Sequence, residues 1–60
     1  MPITEKELSW IEDQLTLEQL LIAKYRNAAN NVNDSNLQSK LNEIASKHES
    51  HYNTLLSHLN

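Results

Sequence analysis

Residues 30–36 read Asn-Asn-Val-Asn-Asp-Ser-Asn, and this polar stretch decides the fold because it separates two long segments with helical spacing. Asn, Asp and Ser side chains hydrogen-bond to nearby backbone groups, so they favour turns and caps over helix interiors. Asp34 is a good N-cap for a following helix, and Ser35 with Gln38 offers an alternative capping box. We therefore predict a turn at about residues 32–34.

The segment before the turn has the spacing of one long helix. Thr4 and Glu7 form a T-x-x-E capping box, which marks a helix start. Glycine is absent and the single proline is Pro2, so no helix breaker follows. We predict a helix at about residues 4–31. Its inward positions recur at alternating steps of three and four: Leu8, Ile11, Leu15, Glu18, Ile22, Tyr25, Ala29 and Val32.

The segment after the turn predicts a second helix at about residues 35–59. A short turn forces consecutive helices antiparallel, so residues 1–60 are predicted to form one domain, an all-α helical hairpin. Folding the chain about residue 33 places Glu18 level with His48. The inward positions of this helix are Leu37, Leu41, Ile44, His48, His51, Leu55 and His58, and a neighbouring stripe holds Ala45, Tyr52, Leu56 and Leu59.

The size of the chain predicts self-association. Sixty residues without cysteine have no disulfide to support a small core, so a partner chain or a metal is expected. The first helix also carries a second apolar stripe, Trp10, Leu17, Leu21 and Ala28, widened by Leu20. A helix that is apolar on more than one face needs burial on more than one side, which one hairpin does not provide. We predict a homodimeric four-helix bundle, with a higher oligomer left open. The predicted interface residues are Trp10, Leu17, Leu20, Leu21, Tyr25, Tyr52 and Leu56.

Charge and hydropathy argue against two classes of partner. The net charge of −3 disfavours a nucleic-acid partner, because such proteins usually present a basic surface. No apolar run approaches the roughly 20 residues of a membrane span. Residues 1–5 have neither the positive start nor the apolar core of a signal peptide. We expect an intracellular protein that binds neither nucleic acid nor membrane.

Three polar residues interrupt the inward seams at one level, and they are the candidate metal ligands: Glu18, His48 and His51. Bundle proteins present a glutamate from one helix and histidines from a neighbour to a metal, and these ligands suit zinc or iron. In the alternative interpretation, Glu18 and His48 form a buried hydrogen-bonded pair and His51 lies at the edge of the seam. No motif supports an enzyme activity other than metal-based redox chemistry.

Two segments resemble a known family: Leu17-Glu18-Gln19-Leu20-Leu21, and Lys47-His48 with the run from His51 to Leu59. They are similar to short members of the spore coat protein F-like family of endospore-forming bacteria, within the ferritin-like group. The resemblance implies a ferritin-like hairpin that dimerises into a four-helix bundle. It also implies a structural or assembly role in the spore coat or the sporulating cell, where other spore proteins can be partners.

The resemblance also bears on the metal. Ferritin-like di-metal proteins use a glutamate from the first helix and a Glu-x-x-His motif from the second. By that pattern Glu18 matches the glutamate, and His48 or His51 matches the histidine. The motif needs its second carboxylate three residues before the histidine. That position is Ala45 if His48 is the histidine, and His48 if His51 is the histidine. This departure favours a zinc or mononuclear site, or no metal, over a carboxylate-bridged di-iron centre.

Overall fold

The chain forms two α-helices joined by a short turn in a computed structural model, which describes residues 3–59. Helix α1 spans Glu5–Asn30 and helix α2 spans Ser35–Ser57. The described residues contain no strand, and the predicted all-helical hairpin is confirmed. The helices were predicted at about residues 4–31 and 35–59. Met1, Pro2 and Asn60, which the predicted domain included, lie outside the described residues.

Helix α1 begins with the predicted capping box. The Glu7 backbone N–H donates to Thr4 Oγ1 at 3.1 Å, and the Thr4 backbone N–H donates to Glu7 Oε1 at 3.1 Å. The backbone hydrogen bond from Thr4, and then the one from its hydroxyl, lower the pKa of Glu7 below 4.5, because both stabilise the ionised carboxylate. The box therefore satisfies two backbone amides that have no partner inside the helix.

Asp34 is the N-cap of helix α2, which settles the choice between the two predicted caps. Asp34 Oδ1 accepts from the backbone N–H groups of Asn36 at 2.8 Å and Leu37 at 3.1 Å. Gln38, the partner in the alternative box, instead donates from Nε2 to the Ala29 carbonyl at 2.9 Å. The first turn of α2 is therefore tied to the last turn of α1 by a hydrogen bond across the connection.

The core between the helices is thin. Ile11, Ala29 and Ala45 are the buried apolar residues among those the structure describes, and no large side chain there is fully enclosed. The two alanines let the helix backbones approach closely. Around them runs a half-buried seam of larger side chains, which are Leu15, Ile22, Tyr25, Leu41, Ile44, Tyr52 and Leu55.

The seam of α2 differs from the predicted one. Leu37, His51 and His58 were predicted to face inward, and all three are exposed, whereas Ala45 and Tyr52 from the neighbouring stripe face α1. At 3.6 residues per turn, a step of three residues falls about 60° short of a full turn. His51 is thereby carried away from the line through His48, toward solvent. A spacing of three and four residues does not by itself distinguish the line of residues through His51 from the line through Tyr52.

The hairpin is a narrow rod with principal extents of 47 × 15 × 10 Å. Its radius of gyration is 14.3 Å, against about 10 Å for a compact domain of this length. Neither described helix combines the length and apolar character needed to cross a membrane. The rod leaves large apolar side chains in contact with water: Ile3, Leu8, Trp10, Leu17, Leu20, Leu37 and Leu56.

Candidate functional site

The predicted alignment of Glu18 with His48 is observed. Glu18 lies near the middle of α1, and His48 lies near the middle of α2. His48 Nδ1 is 3.0 Å from Glu18 Oε2 in a hydrogen bond between the helices. His51 Nδ1 lies 3.6 Å from the same oxygen. Two imidazoles of α2 therefore converge on a single carboxylate oxygen of α1.

The three side chains of this cluster differ in their exposure to solvent. The Glu18 side chain is 13% exposed, His48 is 21% exposed and His51 is 62% exposed. A largely buried carboxylate loses hydration, so it needs hydrogen bonds or an opposite charge to compensate. The exposed side of the cluster is the His51 side. The cluster is thus anchored between the helices and open to solvent at one edge.

Tyr25 is a further component of this site. It was predicted as an interface residue, and its ring stacks on His48 with centroids 5.9 Å apart and planes 13° apart. His51 meets His48 edge-on, with centroids 5.5 Å apart and planes at 86°. The signal for this role was its position seven residues after Glu18, which puts both side chains on one face of α1. Stacking restricts the orientation of the His48 imidazole.

The cluster meets the distance requirement of a metal site. One ligand atom from each of Glu18, His48 and His51 can be chosen so that all three lie within 4.8 Å of one another. Among residues 3–59, these three residues form the one group of three or more His, Cys, Asp or Glu side chains whose ligand atoms lie this close together. Glu18 and His48 also make the hydrogen bond of the alternative interpretation, so the geometry accommodates either a metal or a metal-free polar pair.

A second polar link between the helices was missed by the sequence analysis. Arg26 Nη1 donates to Asn42 Oδ1 at 3.0 Å and to the Asn42 carbonyl at 3.4 Å. Arg26 Nη2 donates to Ser46 Oγ at 3.3 Å and to the Glu49 carboxylate. The available signal was the spacing of Asn42, Ser46 and Glu49, which form a polar line beside the apolar seam of α2. This link holds one face of the hairpin together.

The predicted interface residues divide into two groups. Trp10 is 58% exposed and Leu20 is 65% exposed, and Leu17 and Leu56 are also exposed. Leu21, Tyr25 and Tyr52 are half-buried within the hairpin. Tyr52 is engaged there through its hydroxyl, which accepts from Gln19 Nε2 at 3.3 Å.

Trp10 also borders an open groove near the free end of the hairpin. This groove has a volume of about 440 Å³, and Ile11, Leu55 and His58 are among its lining residues. The exposed apolar surface next to the Trp10 indole is therefore concave.

Comparison with protein-family models, with curated proteins and with solved structures found no match to this chain. The fold defines the class of the protein as an antiparallel helical hairpin. The resemblance to the spore coat protein F-like family stays a prediction.

Proposed function

We propose that this protein is a self-associating structural protein, in which two hairpins pack into a four-helix bundle. The contact surface is the apolar stripe of α1, defined here as Trp10, Leu17, Leu20 and Leu21. The observation that carries the proposal is the exposure of three residues of this stripe, Trp10 at 58%, Leu17 at 46% and Leu20 at 65%, on a hairpin with so thin a core. A chain of this length needs more apolar burial than one hairpin supplies.

The surface area supports a second copy as the covering partner. The hairpin exposes 4777 Å², whereas a compact folded monomer of 6.9 kDa exposes about 4,000 Å². The excess of about 800 Å² is close to what each partner buries in a standard protein interface. One further hairpin is therefore enough to bring the chain to the surface area of a compact domain.

The charges beside the apolar stripe suit a two-fold pairing. In an isologous dimer each copy presents the same surface to the other. If the two α1 helices cross antiparallel between Leu17 and Leu20, each Leu17 lies opposite Leu20 of the second copy. The same register sets Asp13 opposite Lys24 of the second copy, and both side chains are exposed in the hairpin. Apolar groups and opposite charges are then matched together.

A charge placed within the stripe tests the dimer. Leu17→Glu buries a carboxylate in the proposed contact, so we expect the variant to lose the dimer. We also expect it to lose much of its helix, because the isolated hairpin has little core. Light scattering measures the mass and circular dichroism measures the helix content. The one tryptophan, Trp10, reports solvent exposure through its emission, which should shift to the red.

Ser50→Glu is the matched control. Ser50 is exposed on α2, five residues after Ala45 and therefore about 140° around the helix from the side that Ala45 buries against α1. The substitution adds the same charge outside the stripe, so the mass and the Trp10 emission should stay those of the wild type. A folded wild-type monomer would overturn the proposal. A dimeric Leu17→Glu variant with Trp10 still shielded would show that another surface makes the contact.

The proposed setting is the spore coat or the sporulating cell, where such bundles would act as assembly units alone or with other spore proteins. This setting rests on the resemblance carried by residues 17–21 and 47–59. Immunogold labelling of sections through sporulating cells of the source organism tests it. Label on the coat supports the setting, and label confined to vegetative cells contradicts it.

A second candidate function, metal binding, is favoured by a separate observation, the convergence of Glu18, His48 and His51. Metal that binds only the folded state adds about 2.7 kcal/mol of stability at a free concentration 100 times its dissociation constant. We therefore expect a chelator to lower the melting temperature of metal-loaded protein. Glu18→Leu should abolish both the bound metal and this response. A melting temperature unaffected by the chelator would contradict this function.

A further inference from the structure

The distances at the Glu18 cluster fit a particular coordination geometry. In a tetrahedral site with metal–ligand bonds of about 2.0–2.1 Å, neighbouring ligand atoms are about 3.3 Å apart. Glu18 Oε2 lies 3.0 Å from His48 Nδ1 and 3.6 Å from His51 Nδ1, on either side of that value. Small side-chain rotations would make both distances equal. Two of the three ligand–ligand distances are therefore close to the tetrahedral value, and one ligand atom from each residue can be chosen so that all three lie within 4.8 Å of one another.

The ligand set is sufficient for one ion and too small for two. A carboxylate-bridged pair of metals needs a second carboxylate on α2, three residues before a ligating histidine. Ala45 occupies that position for His48, and it is fully buried against α1. His48 itself occupies that position for His51. The residues present therefore do not fit a dinuclear carboxylate centre.

Two imidazoles and one carboxylate are a common zinc ligand set, and such three-ligand sites keep a fourth position for water or another small ligand. In this cluster the solvent-facing edge is the side of His51, which is 62% exposed. We infer that Glu18, His48 and His51 of one chain bind a single zinc ion whose fourth position is open to small ligands from solvent. This inference rests on the proposed metal binding and adds the metal, its number and its open position.

Zinc binding at Nδ1 changes the hydrogen bonding of His48. Without metal, a neutral His48 donates its Nδ1 proton to Glu18 Oε2 across 3.0 Å. A metal needs the lone pair of that nitrogen, so the proton of the neutral ring moves to Nε2. The Tyr25 ring, stacked on His48, favours the same ring plane with and without metal. Zinc thus replaces the hydrogen bond without separating the helices.

Calorimetric titration of the metal-stripped, full-length protein with Zn²⁺ is the first arm of the test. We expect one zinc per chain. Glu18→Gln and His48→Ala should each weaken binding by more than the roughly 10- to 100-fold cost of losing an outer partner of a metal ligand. Glu18→Gln keeps a hydrogen-bond acceptor for His48, so it covers the case in which His48→Ala fails to fold. His58→Ala is the matched control, because His58 is an exposed histidine at the C-terminal end of α2, outside the cluster, and the zinc affinity of this variant should be unchanged.

Cobalt substitution with added azide is the second arm. We expect Co²⁺ to give the intense visible absorption of a four-coordinate site and azide to shift that absorption, since azide replaces the water. An absence of zinc binding, or equal weakening by His48→Ala and His58→Ala, would overturn both the metal-binding function and this inference. One zinc per two chains, two metals per chain, or a spectrum insensitive to azide would overturn the inference while leaving metal binding in place.

Discussion

Individual side chains hold the two helices in register at two points. Glu18 and His48 join the middles of the helices on one side. On another side, the Arg26 guanidinium reaches the side chains of three residues of α2, namely Asn42, Ser46 and Glu49. A planar guanidinium with several donors suits such a multiple contact better than a lysine would. Polar contacts therefore supply positional specificity that the thin apolar core lacks.

Removal of the Arg26 link should cost measurable stability. We expect Arg26→Ala to lower the free energy of unfolding by about 1 kcal/mol, because the hydrogen bonds to Asn42 are partly buried. The ion pair with Glu49 should add little, since its side chains are 40% and 49% exposed and water screens the charges. Urea unfolding at one fixed protein concentration measures the change.

Lys40→Ala is the comparison for this prediction. Lys40 is an exposed cation of α2, outside the proposed contact surface of α1, so its removal changes the charge equally. Its effect on unfolding should be close to zero. Equal losses in the two variants would mean that the Arg26 contacts do not contribute beyond net charge.

At the scale of the element, contacts between residues close in sequence determine where each helix begins, whereas contacts between the two helices determine which face of each is buried. The T-x-x-E box starts α1, and Asp34 starts α2 through two backbone amides. Gln38 then binds the Ala29 carbonyl at the end of α1, so the turn is secured from both helices. These contacts span at most nine residues, and they can form early as the hairpin closes.

The N-cap of α2 can be tested directly. Asp34→Ala removes the acceptor of two backbone amides, so we expect a loss of about 1 kcal/mol, within the usual range for N-caps. Ser35→Ala changes the residue that the alternative capping box would use, and it should have almost no effect. Urea unfolding of the two variants distinguishes the caps. A larger loss from Ser35→Ala would contradict the observed capping.

At the scale of the whole molecule, the rod shape and the exposed stripe have one consequence for stability. If two copies pair as proposed, a hairpin that buries so little apolar surface gains most of its stability from the second copy. The folding of a dimer depends on protein concentration through mass action. Thermal stability should therefore change with dilution, which is not expected of a monomeric fold.

A dilution series of melting temperatures measures this coupling. A tenfold change in concentration alters the apparent stability of a dimer by about 1.4 kcal/mol. For the roughly 120 residues of two chains, this shifts the melting temperature by about 5 °C per tenfold. The dependence should disappear in Leu17→Glu. A wild-type melting temperature that stays constant on hundredfold dilution would contradict the dimer.

The sequence by itself determined the helices, the capping box of α1 and the alignment of Glu18 with His48, and it predicted Asp34 as one of two candidate caps for α2. Each depends on local chemistry or on counting from the turn: polar residues 30–36 interrupt two helical patterns, and a short turn makes the helices antiparallel. The capping box and the Asp34 cap depend on groups three residues apart or fewer. Such features do not change with the way the helices are rotated against each other.

Only the tertiary structure decided which line of α2 faces α1. His51 and Tyr52 are neighbours in sequence, and steps of three and four allow either one to lie inward. In the structure Ala29 and Ala45 are fully buried between the helices, Tyr52 is half-buried beside them, and His51 is turned toward solvent. That rotation placed Tyr25 on His48 and formed the Arg26 link. These contacts join residues of different helices, so their geometry depends on the rotation of each helix about its axis.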